Sequence, residues 1–371
     1  MLRKFYLKNK HWIASTFVLL LVIILMAGCG SRETSSEPGN SKQENNELET
    51  CIVTDHAGRE VEIPAKVEKV FAIGPIGSIF LYTLAPEKMI GWNNELSDSA
   101  REFIPEEYAN LPVLGRWAGA DVTGNVEEIL KLAPDIMINV GSITQEWVDL
   151  TDQIQEQTGI PVLNIDGSFF EIANSYGFLA DILGVEERGS LLAAYATDVI
   201  KSIEDLRERV ETGTQRTVYY GSGEQGLSTS SRESINAEML EIIGAKNVAE
   251  SGGGNMEVTI EQIITWNPDV ILISDTSGAE RKVYQMITAE DSPWENIAAV
   301  NNNRVYTIPN LPFDWINRPP SVMRLIGAKW LAHTLYPDLY PIDIRDEVKE
   351  FMKLFFNYEL KVDDFEKIFH E

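Results

Sequence analysis

The feature that most constrains the fold is one short pattern that the sequence contains twice. One copy reads NVEEILKLAPDIMINV from Asn125 to Val140, and the other reads TIEQIITWNPDVILIS from Thr259 to Ser274. The copies share a glutamate, an isoleucine and a Pro-Asp pair at the same spacing, and the apolar positions between them also match. Chance similarity is one interpretation, because the pattern is common in α/β proteins. The other is a chain of two similar lobes.

Each copy predicts a short helix followed by a buried strand. The opening Thr or Asn, the acid after it and the apolar residues at helical spacing are typical of a capped helix. The Pro-Asp pair ends that helix, because proline cannot continue the hydrogen-bond ladder and restrains the residue before it. The β-branched runs that follow, Ile136–Val140 and Val270–Ile273, are typical of strands buried on both faces of a parallel sheet.

Strands and helices alternate along the rest of the chain, which indicates sheets that are parallel or mostly parallel. Further strands are predicted at Val70–Ile73, Met89–Trp92, Val162–Ile165, from Thr217 onward, and at Arg304–Ile308. Helices are predicted at Ser78–Leu84, Trp147–Thr158, Pro320–Tyr336 and Asp343–Tyr358.

One long helix is predicted over residues 187–212, which contain no proline and a single glycine near their start. At 1.5 Å per residue it is about 38 Å long. A helix of the core and a spine between two lobes both fit this pattern. Its position favours the spine, with a first lobe at 50–186 and a second at 213–371.

The N-terminal segment has the composition of an export signal. Arg3, Lys4, Lys8 and Lys10 precede an apolar stretch and the small residues of LMAGCG. Residues 1–28 are therefore predicted to be a signal peptide, with an uncleaved anchor helix as the alternative. Residues 29–49 are polar without apolar periodicity, which is typical of a disordered tether. Either interpretation places the folded part outside the cytoplasm and attached to a membrane.

The charge of the chain excludes some partners. The formal net charge is −26, and removal of residues 1–28, which carry four bases and no acid, leaves −30. Such acidity argues against nucleic acid or a polybasic membrane-binding surface, and it allows acidic contacts with a basic partner. Once Cys29 is modified, Cys51 is the one remaining cysteine, so no intramolecular disulfide is expected.

Enzyme motifs are weak or missing. Residues 221–226 match G-x-G-x-x-G, but the polar LSTSSRES that follows does not open a helix, so a loop near a ligand is favoured over a dinucleotide site. The four histidines, His11, His56, His333 and His370, are not spaced as metal ligands. We expect neither a resident metal nor a cofactor.

The order of several segments resembles the ABC importer substrate-binding proteins for ferric siderophores, haem and cobalamin. VTDHAGREVEIP resembles the opening hairpin of that family, and LGRWAGADVTGNVEEILKLAPDIMI resembles its first-lobe signature. TIEQIITWNPDVILI and PFDWINRPPS resemble second-lobe segments. The resemblance implies an α/β fold of two Rossmann-like lobes joined by one long α-helix, with a ligand cleft between the lobes. LMAGCG resembles a lipobox in which Cys29 is acylated, with Met26 at the usual leucine position.

The resemblance also assigns roles to the two repeated glutamates. Glu127 and Glu261 match the residues that dock, one on each lobe, to arginine pockets of the two permease subunits. A binding protein with pseudo-twofold symmetry would present the same acid twice to a twofold permease. The alternative is that these are acids favoured by the helix dipole.

Candidate ligand residues follow from the same resemblance. They are Pro75 to Ser78, Trp92, Arg116 and Trp117 in the first lobe, and Ser222, Gly223, Glu224, Asn255, Met256, Trp315 and Arg318 in the second. Tryptophan offers a broad apolar face, and arginine offers paired donors to anionic oxygens. Core packing is the alternative role for each tryptophan. The loop AGADVTG is longer than the family usually has, and this difference bears most directly on the predicted ligand-binding roles of Arg116 and Trp117.

The sequence thus predicts a monomeric lipoprotein on the outer face of the cell membrane. The resemblance implies that this lipoprotein captures an iron–siderophore-type complex and delivers it to an ABC permease with its ATPase. Alternatives within the class are molybdate, tungstate, haem or cobalamin. An exported α/β enzyme using Glu224 or Asp314, or a solely structural lipoprotein, would fall outside it. A continuous helix between the lobes predicts limited movement on binding.

Overall fold

A computed structural model describes residues 49–118, 122–210, 214–250, 252–275, 280–317 and 319–369. All of these residues belong to one compact unit, Leu48–Glu371. The predicted signal peptide, Cys29, the tether up to residue 48 and Arg318 lie outside the described residues. No helix in the described part combines the length and apolar character needed to cross a membrane.

The first half of the chain forms a hairpin and then an α/β lobe, with a three-stranded parallel sheet in the order β3-β4-β5. Its elements are β1 Thr50–Thr54, β2 Glu60–Pro64, β3 Val70–Ala72, α1 Pro75–Leu84, α2 Asp98–Arg101, α3 Glu106–Ala109, α4 Val126–Leu132, β4 Ile136–Gly141, α5 Gln145–Thr158, β5 Val162–Asp166, α6 Ile172–Leu183 and α7 Glu186–Arg209.

The second half forms a similar lobe, with a four-stranded parallel sheet in the order β11-β10-β6-β8 and a small antiparallel pair, β7-β9. Its elements are β6 Thr217–Gly221, β7 Ser228–Ser230, α8 Glu238–Ile242, β8 Lys246–Asn247, β9 Asn255–Glu257, α9 Ile260–Trp266, β10 Val270–Ile273, α10 Lys282–Thr288, α11 Ala298–Asn301, β11 Val305–Thr307, α12 Arg324–Leu335, α13 Ile344–Phe356 and α14 Val362–Phe369.

The repeated sequence pattern forms the same structure in both lobes. The side chains of Asn125 and Thr259 cap helices α4 and α9 by accepting backbone hydrogen bonds three residues on. Both helices end at a left-handed residue, Ala133 with φ 48° and Asn267 with φ 45°. Strands β4 and β10 follow, each fully buried. The predicted helix–Pro-Asp–strand unit is confirmed in both copies.

The aspartate of each Pro-Asp pair joins its unit to the preceding strand. Asp135 Oδ2 accepts from the backbone NH of Lys69 at 2.8 Å, and Asp269 Oδ2 accepts from that of Thr217 at 2.9 Å. In return, the backbone NH of Asp135 donates to the Lys69 carbonyl at 2.8 Å, and that of Asp269 donates to the Thr217 carbonyl at 3.0 Å. These reciprocal bonds hold β3 beside β4 and β6 beside β10.

Helix α7 is the long helix between the two lobes. It buries residues spaced three or four apart, including Leu192, Val199, Ile203 and Leu206. It packs closely against α6, because a Cβ on Gly189 would lie 2.1 Å from the Cβ of Ala180.

One hydrophobic cluster extends through both lobes. It includes Val70 and Phe80 of the first lobe, Ile203 of α7, Tyr220 of the second lobe and Phe355 of α13. Separate clusters fill the outer face of each sheet, around Ile129 in the first lobe and Ile263 in the second. The lobes are therefore joined by shared packing as well as by α7.

Two local predictions differ from the structure. Met89–Trp92 forms isolated bridges, Val70 to Met89 and Trp92 to Val113, rather than a strand. Helix α14 was not predicted, although its apolar residues Phe365 and Ile368 pack into the shared cluster. In both places, contacts with distant parts of the chain decide the local structure.

Candidate ligand cleft

A cavity of about 190 Å³ lies between the lobes. The first lobe supplies the start of α1 and the segment that follows Trp92, and the second lobe supplies the loop between β11 and α12. The lining residues are Pro75, Ser78, Ile79, Trp92, Asn93, Asn94, Glu95, Leu96, Ser97, Ala100, Pro312, Phe313 and Pro319.

The polar part of the cavity is built around Asn93, which is 2% exposed. Its Nδ2 donates to the carbonyls of Ala72 and Gly115, both at 2.9 Å, and its Oδ1 accepts from the Ser78 hydroxyl. These bonds fix the end of β3 against the first turn of α1. The N-terminus of α1, with Pro75 in its first turn, therefore opens at the cavity.

The apolar part of the cavity is aromatic. Trp92 is 3% exposed, and its Nε1 donates to the Tyr108 carbonyl at 2.8 Å. Its ring lies 6.1 Å from that of Phe313. Behind these two rings, Tyr82 lies 5.5 Å from Trp92 and 5.6 Å from Phe356, which in turn lies 6.2 Å from Phe313. We call Tyr82, Trp92, Phe313 and Phe356 the aromatic cluster.

Arg116 lies at the edge of this site. Its Nη1 donates to Asn94 Oδ1 at 3.1 Å, and Asn94 lines the cavity. Its backbone carbonyl accepts hydrogen bonds from the backbone NH groups of Thr123 and Gly124 at 2.9 and 3.0 Å. Arg116 thus contacts a lining residue without lining the cavity itself.

The other two predicted tryptophans are core residues in this structure. Trp117 is 7% exposed and packs edge-on against Phe71. Trp315 is fully buried, and its Nε1 donates to the Leu311 carbonyl at 3.0 Å. The ring of Phe313, two residues before Trp315, faces the cavity instead.

The second-lobe loop is held in place by Arg324, which is 1% exposed. Its Nε donates to the Ile316 carbonyl, its Nη2 to the Ile235 carbonyl, and its Nη1 pairs with Glu238 at 2.8 Å. Burial lowers the pKa of Arg324, although Glu238 opposes this change. Arg318, predicted to contact the ligand, lies outside the described residues; its neighbour Pro319 lines the cavity.

The remaining second-lobe candidates form a separate group on β6, β7 and β9. Ser222 pairs with Ser228, and Gly223 and Glu224 are exposed in the turn between them. Asn255 and Met256 pair with Ser230 and Thr229. None of these five residues is among the described residues that line the cavity. Residues 221–226 lead into the antiparallel strand β7 and not into a helix, so they form the predicted loop; the approach of a ligand to this loop stays a prediction.

Sequence reasoning missed three lining residues that shape the chemistry of the cavity: Asn93, Asn94 and Phe313. Asn93 and Asn94 directly follow the predicted Trp92, and Phe313 is the aromatic residue of the PFDW segment. The polar pair that directly follows Trp92 was therefore a signal from which Asn93 and Asn94 could have been predicted as lining residues. Which of Phe313 and Trp315 lines the cavity could not be predicted from the local sequence, because both side chains are large and apolar.

The two predicted docking glutamates lie at equivalent, exposed positions. Glu127 is in the first turn of α4 and Glu261 in the first turn of α9. Hydrogen bonds from its own backbone NH, and then from the Thr259 side chain, lower the pKa of Glu261. In the described part of the chain, no three His, Cys, Asp or Glu side chains are grouped as metal ligands.

Comparison with known proteins identifies the class. A family model described as periplasmic binding protein matches residues 102–311, more than half of the chain. The chain belongs to the periplasmic binding protein family. It is an extracytoplasmic solute-binding protein of an ABC importer, and members of this class bind solutes rather than catalyse reactions.

Individual relatives of this periplasmic binding protein carry different ligand names. It is 26% identical to the uncharacterized ABC transporter substrate-binding lipoprotein YvrC of Bacillus subtilis, over 87% of this chain and 96% of YvrC. It is 23% identical to the molybdate-binding protein MolA of Haemophilus influenzae, over 84% and 93%. It is 22% identical to the Fe(3+)-citrate-binding protein YfmC of Bacillus subtilis, over 79% and 88%.

A solved structure agrees with the family assignment. An ABC transporter solute-binding protein from Sulfurospirillum deleyianum superimposes with a TM-score of 0.79. It is 29% identical in sequence, and the match covers 86% of this chain and 99% of that one. The predicted two-lobe α/β fold is confirmed.

Proposed function

We propose that the cavity between the lobes captures an iron–siderophore-type chelate and that the protein delivers it to an ABC permease. The observation that carries this proposal is the composition of the cavity wall, which has aromatic rings from both lobes facing amide and hydroxyl groups. Flat apolar surfaces suit the organic part of a chelate. The side-chain NH2 of Asn94 and the backbone NH groups of the first turn of α1 suit its oxygens, whereas the donors of Asn93 and Ser78 are already used within the protein.

The charge of the site supports an anionic ligand. The positive end of the α1 dipole opens at the cavity, and Arg116 donates to a lining residue. Glu95 is the one acid among the described lining residues, and it is exposed. An anionic complex would therefore meet fixed donors inside and a carboxylate only at the edge.

A second candidate ligand, molybdate or tungstate, is favoured by the size of the cavity. Its volume of about 190 Å³ lies below the range of roughly 300–1,000 Å³ that is typical of sites for drug-sized ligands. A small oxyanion would be enclosed, whereas a siderophore would project from the cleft. Haem and cobalamin are large ligands and would project as well. The relative named as molybdate-binding supports the oxyanion candidate.

Ligand titration tests the proposal. Tryptophan fluorescence, followed by calorimetry, should respond to ferric siderophores or ferric citrate and not to the metal-free chelators. A response to molybdate and tungstate alone would replace the first candidate with the second. If haem or cobalamin binds and the other ligands do not, the proposed ligand class is wrong, but the family assignment stands.

Attachment and docking complete the proposed function. Cys29 is proposed to carry the lipid anchor, and Glu127 and Glu261 are proposed to contact the two permease subunits. Their equivalent positions in the first turns of α4 and α9 support docking to a twofold partner. Mass spectrometry of the membrane-extracted protein should find Cys29 as the first residue, with acyl chains attached. An intact N-terminus at Met1 would favour the uncleaved anchor helix.

A further inference from the structure

A second cavity, of about 320 Å³, lies on the other side of the aromatic cluster. Tyr82 and Phe356 line it, whereas Trp92 and Phe313 line the ligand cavity. The second cavity is formed where α1, the α3 region, the start of α7 and the end of α13 meet. Further lining residues are Leu84, Tyr108, Val185, Arg188 and Phe355. Its volume falls within the range typical of small-molecule sites.

The hydroxyl group of Tyr82 lacks a hydrogen-bond partner among the described residues. The residue is 3% exposed overall and lines the second cavity, so its hydroxyl is reached from that cavity. Two other buried tyrosines of the core are satisfied: Tyr176 bonds the Thr83 hydroxyl at 2.6 Å, and Tyr219 donates to the Gly226 carbonyl at 2.8 Å. The Tyr82 hydroxyl, which no other described residue engages, therefore offers a donor to a molecule in the cavity.

Arg188 supplies a positive charge that is not paired with any acid of the described chain. Its Nε and Nη2 donate to the Thr83 carbonyl at 3.2 and 2.9 Å, and Nη2 also reaches the Phe355 carbonyl at 3.4 Å. These carbonyls fix the guanidinium without neutralising it. Glu87 lines the cavity but is exposed and forms no ion pair with Arg188. Nη1 has no acceptor among the described residues and remains available.

The rest of the wall is apolar and largely aromatic. Tyr82 and Tyr108 meet edge to face with their centroids 6.0 Å apart, and Phe355 and Phe356 lie on the α13 side. Leu84 and Val185 complete the apolar surface. Such a wall favours a flat apolar body, while one fixed guanidinium and one phenol favour a single anionic group with two acceptor oxygens.

We propose that this second cavity binds a small aromatic carboxylate, whose oxygens accept hydrogen bonds from Arg188 and from the Tyr82 hydroxyl. The proposal rests on the contacts of the second cavity alone. It stands or fails independently of the ligand that occupies the cleft between the lobes.

Benzoate is the probe for the test, with benzyl alcohol as its uncharged counterpart. Benzoate is titrated into methyl-labelled protein, and the methyl resonances are followed by NMR. The Leu84 and Val185 methyl groups line the second cavity, whereas Ile79 and Leu96 line the ligand cavity. We expect saturable shifts at Leu84 and Val185, none at Ile79 and Leu96, and at least tenfold weaker binding of benzyl alcohol.

Conservative variants separate binding from folding. Tyr82→Phe removes no hydrogen bond within the described chain, so it should fold as the parent protein does and bind benzoate about tenfold more weakly. Arg188→Lys keeps the charge but loses the paired donors, and a similar loss is expected. Tyr195→Phe is the matched control, because it also removes a tyrosine hydroxyl without a hydrogen-bond partner, but from a residue that does not line this cavity.

Three results would overturn the proposal. One is the absence of shifts at Leu84 and Val185 at about 10 mM benzoate, a concentration at which a ligand of this size should bind. Another is equal benzoate affinity in the parent protein and in a folded Tyr82→Phe variant. The third is a set of shifts confined to Ile79 and Leu96, which would place benzoate in the cleft.

Discussion

The ring of Phe313 lies 6.1 Å from the ring of Trp92, so that each lobe contributes one aromatic side chain to the same wall of the ligand cavity. The hydrogen bond from Trp92 to the Tyr108 carbonyl fixes one ring, and contact with Phe356 supports the other. The contact that joins the lobes at the cleft is therefore also part of the binding surface.

Replacing Phe313 distinguishes the two candidate ligand classes. Phe313→Ala removes an apolar face worth about 1–2 kcal/mol to a flat ligand, so chelate affinity should fall about tenfold or more. Molybdate affinity should change little, because an oxyanion depends on polar groups, and it should fall instead in Asn94→Ala. Calorimetric titration measures both effects. Phe170→Ala, at an exposed phenylalanine that does not line the cavity, is the control.

Charge reversal tests permease docking. Glu127→Lys and Glu261→Lys should each reduce ligand uptake by cells about tenfold or more while leaving ligand affinity unchanged, because carboxylate–guanidinium pairs would become repulsive. Glu128→Lys is the matched control, since Glu128 is exposed on the same helix and forms only a surface pair with Lys131. Equal uptake defects in all three variants, or a loss of uptake that only follows lost affinity, would argue against docking.

Arg324 is expected to be the most sensitive charged residue of the second lobe. Arg324→Met removes the partner of Glu238 and the donors to the Ile316 and Ile235 carbonyls. The loss should be about 2–3 kcal/mol in the free energy of unfolding, below the usual cost for a fully buried pair because the Glu238 side chain is 40% exposed. Urea denaturation measures it. The double variant Arg324→Met/Glu238→Leu should recover part of the lost free energy of unfolding, because it no longer leaves Glu238 unpaired. If nothing is recovered, the whole loss comes from the missing hydrogen bonds to the two carbonyls.

Stability should fall as the pH drops below about 6.5, the ordinary histidine pKa, partly because of His56. Burial lowers its pKa, although Asp166, Glu171 and Asp55 oppose this effect. Its Nδ1 accepts from the backbone NH of Asp166 at 3.0 Å, a bond that protonation abolishes. The unfolded chain then binds more protons than the native protein, so protonation favours unfolding.

Urea midpoints at pH 7.5 and pH 5.5 measure this contribution. His56→Gln keeps an acceptor for the Asp166 NH but cannot be protonated, so its midpoint should shift less between the two pH values than that of the parent protein. Identical shifts in the two proteins would assign the pH dependence to other groups.

The elements that could be predicted from sequence are those whose ends are fixed by nearby residues. The caps Asn125 and Thr259 and the Pro-Asp pairs determine α4, β4, α9 and β10 within a few residues, and these predictions were confirmed. The exposure of Glu127 and Glu261 follows from the same local pattern. The lining of the cleft does not, because it depends on which large side chains the core has room for.

Tryptophan placement shows this limit most clearly. Trp92, Trp117 and Trp315 were equally plausible ligand residues, but only Trp92 lines the cavity. Trp117 packs in one hydrophobic cluster with Phe71 and with Ile129 of α4. Trp315 packs against Phe369, near the C-terminal end of the described chain. Contacts over such sequence separations leave no periodic signal in a single sequence.

The hydrophobic cluster that runs through both lobes has a consequence for how this protein loses its structure. An excised half would expose a broad apolar face formed by α7, α12 and α13, and would be prone to aggregate. A heat-capacity scan of the intact protein should therefore show a single peak, and two resolved peaks would mean that the halves melt independently. The chain has two lobes, but we expect them to unfold together in a single cooperative transition.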